Sequence, residues 1–272
     1  MTRVLVTGGT GNLGSRVVAA LAARGSVARV LSRRARPADV PAGREWITAD
    51  LVRDDLHVAV HSVDAIVHLA SEKGRGDADV VATGRLLQAA RAASVRHTVV
   101  VSIVGCDRIP LPFYASKRAI EEAVRGGGAP WTLVRVAQFH SFVERLVSSS
   151  ATLPIPAPLF ADLRFQPVDE DEVAQHLVEL ALSSPRGDAP DMAGPEVLAL
   201  GEIAAIWLAV HGRPGTLVPV VETADANGLP PPEPWARAVL DGYRNGLNTP
   251  SGPATLGRVS FEQWLRRRAK GR

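Results

Sequence analysis

Disulfide bridges are excluded from this chain, because it holds one cysteine, Cys106. A lone thiol fits a reducing compartment, and the expected location is cytoplasmic. Lysine is nearly missing: of 31 basic residues only Lys73, Lys117 and Lys270 are lysines. Tyrosine occurs only at Tyr114 and Tyr243, so chemistry that needs a phenol has two candidates. No apolar run reaches the roughly 18 residues a membrane span needs. No signal-peptide pattern precedes the first strand pattern, which begins at Arg3. No internal repeat is present. The net charge is only +3, and the basic end from Trp264 onward reads as a solvated helix end. The expected partner is therefore a small molecule, with neither nucleic acid nor membrane, and a homodimer is left open.

What is there begins at once. Val4-Leu5-Val6 is an apolar run suited to a strand buried on both faces. It breaks into Thr7-Gly8-Gly9-Thr10-Gly11-Asn12-Leu13-Gly14, and an Ala-rich helical pattern follows from Ser15 to about Ala23. Strand, glycine turn and helix form the context in which such spacing binds a dinucleotide. Gly8 can take a positive φ, Gly11 has no side chain to keep a pyrophosphate off the backbone, and Gly14 allows close helix packing. The free amides and positive dipole end of the helix would face the phosphates, with Thr10, Asn12 and Leu13 around them. The turn resembles that of the short-chain dehydrogenase/reductase superfamily, in its extended and atypical branches.

Strand patterns then alternate with helical ones. Val27 to Leu31 leads into Ser32-Arg33-Arg34, where a dinucleotide fold meets the adenosine ribose. An acid there suits a 2′-hydroxyl and arginine suits a 2′-phosphate; no acid follows until Asp39. The expected cofactor is NADPH/NADP+. Glu45 to Leu51 reads as a third strand ending in the Asp50-Leu51 pair, Asp64 to Leu69 as a fourth, His97 to Ser102 as a fifth and Thr132 to Val136 as a sixth. Helices are expected at about Asp79 to Ala93, Val173 to Ser183 and Gly201 to His211, with a last one near Ser260. Asp169 and Glu172 read as a capping box. His57 and His61 share a helix face, but without a third ligand beside them they read as surface residues and no metal is expected. Short strands are expected at Gln166-Pro167-Val168 and Thr216 to Val221. Pro154, Pro156 and Pro158 read as a lid-like link, and the proline run Asn227 to Pro234 as irregular chain.

The fold class is α/β, a Rossmann-type doubly wound parallel sheet. A NADP-binding domain is expected over residues 1–150. A smaller substrate-covering lobe over 151–272 is expected to pack with it as one unit. The stretch SIVG, the proline-bearing loop and PFYASKRAIEEAV narrow the resemblance to the NmrA-like group of atypical members. That resemblance covers essentially the whole chain. It implies that Asp50 and Leu51 meet the adenine, and that Leu69, Ala70 and Ser71 lie against the cofactor's ribose. It also implies that Val136, Gln138 and Phe139 turn over the nicotinamide, that Lys117 holds the nicotinamide ribose and that Ser102 lines the pocket.

The superfamily's usual tyrosine stands four residues before its lysine, but here that position is Phe113, which has no acidic proton. Tyr114 stands three before Lys117, and on a helix those positions differ by about 100°. The proton for a reduction can come from Lys117, Tyr114, His140 or water. Two readings stay open, with a transient-cofactor epimerase or lyase as a minor third. One is an NADPH-dependent reductase of a small, rather apolar carbonyl, quinone or conjugated double bond. The other is an NADP(H)-sensing regulator without turnover.

Overall fold

The computed structural model describes residues 1–41, 43–71, 77–151, 160–213 and 233–270. The three link prolines and the strand expected at Thr216 to Val221 lie outside the described residues. So does most of the charged loop from Glu72 and of the proline run from Asn227. Two compact units are formed. The first holds Met1–Ser102, Ala115–Arg135 and Glu170–Pro190; the second holds Ile103–Tyr114, Val136–Asp169 and Asp191–Arg272. The sequence expects one boundary, near residue 150, whereas the compact units alternate along the chain. One cause is that the helix after residue 169 returns to pack on the first helix of the chain.

In the first unit β1 (Arg3–Thr7) lies between β2 (Val27–Ser32) and β4 (Ala65–His68). Val4 is paired with Ala28 on one side and Ala65 on the other. β3 (Arg44–Thr48) continues the sheet beyond β2, and β5 (His97–Ile103) and β6 (Trp131–Val136) continue it beyond β4. β1 to β5 run parallel, and β8 (Gly187–Asp188) lies parallel beside β6. The chain thus winds one way to β3 and back the other way from β4. The reversal between β1 and β4 is where a parallel sheet leaves a crevice at its carboxyl ends. Val4, Leu5 and Val6 are fully buried, as an apolar run covered on both faces should be.

The helices of this unit are α1 (Asn12–Ala23), α2 (His57–Val60), α3 (Ala78–Ala92), most of α4 (Pro112–Gly126) and α6 (Glu170–Ala181). α1 buries Leu13, Val17, Val18 and Leu21 at helical spacing. α6 returns to α1, tied by Arg24 to Glu179 at 2.8 Å and Arg16 to Asp171 at 2.9 Å. Pro112 opens α4, where its missing N–H costs nothing.

The second unit holds α5 (His140–Ala151), α7 (Leu200–His211), α8 (Pro234–Arg244) and α9 (Phe261–Lys270) around Val143, Val147, Ile203, Trp207, Phe261 and Leu265. β7 (Arg164–Phe165) pairs antiparallel with β10 (Leu198–Ala199), and β9 (Asp191–Ala193) pairs parallel with β11 (Ala254–Leu256). The strand expected at Gln166-Pro167-Val168 is corrected: pairing occurs two residues earlier, and Val168 makes only a lone bridge to Phe139. Pro167 has no N–H to give a ladder. Among the described residues no helix is long and apolar enough to cross a membrane.

Candidate functional site: a dinucleotide cleft and a buried tyrosine pair

The glycine turn follows β1 directly. Gly8 has φ +68°, a left-handed conformation that a side chain would strain, and a Cβ there would meet the Ala70 amide nitrogen at 2.9 Å. A Cβ on Gly14 would run into the Gly8 carbonyl oxygen. The close approach that Gly14 permits is therefore to the turn itself. Gly11 is the N-cap of α1; no side chain caps this helix start, and its first turn carries no acid. Backbone N–H groups of a first turn left without a side-chain cap, at the positive end of the dipole, fit an anionic pyrophosphate.

Beside the turn lies a cleft of about 220 Å³ lined by Gly8, Thr10, Ser32, Arg33, Arg34, Asp50, Leu51, Ala70 and Ser71, among others. The structure thus gathers nine of the expected cofactor residues along one cavity at the sheet reversal. Gly11, Asn12, Leu13 and Gly14 belong to the adjoining turn and helix start. Ser32 Oγ accepts the Arg34 amide at 3.1 Å, and Trp46 Nε1 donates to the Arg34 carbonyl at 3.2 Å. These bonds hold the chain on which Arg33 and Arg34 stand exposed at the rim. Asp50 Oδ1 accepts the Val52 amide at 2.8 Å, so it closes a turn; α2 does not begin until His57. Sequence reasoning missed Asp79, which also lines the cleft and accepts the Ser71 hydroxyl at 2.7 Å. Its position in the first turn of α3 was the available signal.

Beneath the cleft a buried network holds the ends of β1 and β4 together. Thr7 Oγ1 lies 2.7 Å from His68 Nδ1 and accepts the amides of Leu69 and Ala70. His68 Nε2 lies 2.9 Å from Thr83 Oγ1, whose proton goes to the Asp79 carbonyl at 2.7 Å. Thr83 must then accept from Nε2–H, and Thr7 must donate to a bare Nδ1, which fixes a neutral imidazole. Burial, with the Lys117 charge second and Asp79 opposing, pushes the His68 pKa down to about 4. The Lys117 charge is therefore felt at this corner of the first unit.

The second unit holds the other candidates. Tyr114 is in the first turn of α4, so the angular argument against a simple swap with Phe113 stands. Its hydroxyl is buried, 2.8 Å from the Tyr243 hydroxyl, and accepts Gln138 Nε2 at 3.0 Å. Gln138 Oε1 in turn accepts Asn248 Nδ2 at 3.1 Å. Burial raises the Tyr114 pKa while its two donors pull it back; Tyr243 is raised by burial and by Tyr114. The pair is unequal, and Tyr114 is the one whose phenolate has two donors. Phe113 packs against the apolar core. His140 is fully buried against Phe261 and Trp264, with Nε2 at 3.0 Å from the Val259 carbonyl. That is the setting of a core histidine. Val136 bridges Met192, Phe139 bridges Val168, and Ser102 is buried near the end of β5. Tyr243 and Asn248 carried no motif that sequence reading could use.

A family model described as NAD(P)H-binding matches residues 8–156. A curated protein of Streptomyces griseus, (4-alkanoyl-5-oxo-2,5-dihydrofuran-3-yl)methyl phosphate reductase, is 31% identical over 216 residues, covering 78% of this chain and 74% of that protein. The triphenylmethane reductase of Citrobacter sp., solved with NADP(H), has a similar fold at 22% identity, with TM-score 0.75 over 98% of this chain and 99% of that one. An NADPH-dependent quinone oxidoreductase of Escherichia coli has TM-score 0.73 at 18% identity, again over 98% of this chain and 99% of that one.

Proposed function

The chain belongs to the NAD(P)H-binding family and is an NAD(P)H-dependent reductase, and from that premise we propose that it uses NADPH to reduce a conjugated double bond beside a carbonyl. The acceptor is small and rather apolar, such as an unsaturated lactone or a quinone. The name of the Streptomyces griseus relative supports this class, since a 5-oxo-2,5-dihydrofuran ring carries a carbon–carbon double bond next to its carbonyl. The arginines that follow β2, with no acid after them in the chain before Asp39, support NADPH as the donor.

The observation that carries the chemistry is the setting of the Tyr114 oxygen, which accepts the Gln138 amide and lies 2.8 Å from the Tyr243 hydroxyl. Bound NADPH supplies hydride chemistry. Addition at the β carbon leaves negative charge on the substrate's carbonyl oxygen, which must take a proton. Tyr114 gives it through its O–H. The Tyr243 hydroxyl and the Gln138 amide then donate to the phenolate left behind, and water restores the proton. Lys117 is given the nicotinamide ribose and Ser102 a place in the pocket wall. His140, with Nε2 against the Val259 carbonyl, is given packing.

The test is NADPH oxidation against a panel of enones, unsaturated lactones and quinones. Turnover is expected with at least one. Tyr114→Phe should lower kcat by about 100-fold or more while NADPH affinity holds. Lys117→Ala should abolish turnover with the fold preserved. NADPH binding without turnover on any member of the panel would overturn this acceptor class.

A further inference from the structure

Glu170 has no part in the chemistry above, yet it is fully buried at the start of α6. Its Oε1 accepts Asn12 Nδ2 at 3.0 Å. Asn12 is the first residue of α1, next to the N-cap Gly11. Asn12 Oδ1 accepts Arg16 Nη1 at 2.6 Å, and Arg16 Nε pairs with Asp171 at 2.9 Å. Asp171 follows Glu170 in the chain. Four side chains therefore close a ring that ties the glycine turn to α6. The second carboxylate oxygen of Glu170, Oε2, is buried with no hydrogen-bond partner among the described residues.

A buried carboxylate with so little direct compensation is costly. Two helix starts offset part of that cost. Glu170 is in the first turn of α6, and through Asn12 it reaches the start of α1, which has no acid of its own. The same end of α1 is the one fitted to the cofactor's pyrophosphate.

We propose that Glu170 is a positioning residue for cofactor binding: by holding the Asn12 side chain it keeps the first-turn amides of α1 aimed at the pyrophosphate. The hydrogen bond and the charge have opposite effects. The bond pre-organises the turn, while the negative charge competes with the phosphates for the helix end. Glutamine keeps an acceptor for Asn12 and removes the charge, whereas alanine removes both.

Calorimetric NADPH titration and the melting midpoint of the cofactor-free protein separate this role from packing. Glu170→Ala should weaken NADPH binding about tenfold, the worth of one partly buried hydrogen bond to a charged group. Glu170→Gln should bind at least as tightly as wild type. Asn12→Ala removes the same bond from an exposed residue, so it stays informative if Glu170→Ala fails to fold. It should weaken NADPH binding at least as much, because the Glu170 charge stays, while a lower melting midpoint of the free protein reports the carboxylate left without its partner. Wild-type NADPH affinity in Asn12→Ala, or a Glu170→Gln variant as weak as Glu170→Ala, would overturn the proposal. None of these readings needs an acceptor, so they stand or fall apart from the reductase chemistry.

Discussion

The proposed choice of NADPH rests on a few charges at the end of β2. Arg33 and Arg34 are exposed at the rim of the cleft, and the segment is held by bonds to Ser32 and Trp46. A guanidinium recognises a 2′-phosphate through paired charged hydrogen bonds, each stronger than a neutral one. Arg33→Ala should weaken NADPH binding about tenfold or more and leave NADH binding unchanged. Equal affinities of the wild-type protein for the two cofactors in calorimetry would remove the assignment. That these residues line one cleft was legible in the sequence because strand, turn and the residues after the next strand are close along the chain. The tyrosine pair was not legible: Tyr114 and Tyr243 are 129 positions apart, and no local pattern announces their contact.

At the scale of elements, α4 carries both Tyr114 and Lys117, so what fixes α4 fixes them. Glu121, on α4, is fully buried and takes Arg135 of β6 in a two-pronged pair, Nε to Oε1 and Nη2 to Oε2, each at 2.8 Å. Arg125 adds a contact at 3.3 Å and pairs with Asp188 at 2.8 Å. Removing one partner of such a pair leaves the other charged and poorly solvated. Glu121→Ala should cost about 3 kcal/mol in urea unfolding, whereas an exposed pair such as Arg118–Glu122 should cost under about 1 kcal/mol. The sequence showed an arginine on strand six and a glutamate on the helix, but not that they meet. The charge pattern of α4 alone would place Glu121 on a solvated face.

For the whole molecule, buried neutral histidines make stability depend on pH. His68 titrates at about 4 in the fold, against 6.5 unperturbed, so between those values the unfolded chain binds more protons. Stability from this group is present above pH 6.5 and is lost as pH falls toward 4, up to about 3 kcal/mol. His97 and His176 are also lowered, chiefly by burial, and act in the same direction. Denaturant melts at several pH values should show falling stability from pH 7 to pH 4.5. His68→Gln should flatten that slope without removing it. An unchanged slope in the variant would show that His68 is not buried neutral.

The sequence by itself determined the doubly wound fold class and the glycine turn beside the cleft. Both follow from local rules: apolar runs that must be covered on two faces, and glycines where a side chain would collide. It also placed the arginines beside the cleft, since parallel strands deliver their loops to one edge. Tertiary structure alone decided which polar groups meet out of water: Thr7 with His68 and Thr83, Glu170 with Asn12, Glu121 with Arg135, and Tyr114 with Tyr243. A buried polar side chain needs a partner, and that partner comes from whichever element packs against it. Sequence spacing carries no trace of that choice, so the role of Tyr114 beside Phe113 could be argued only once the chain was folded.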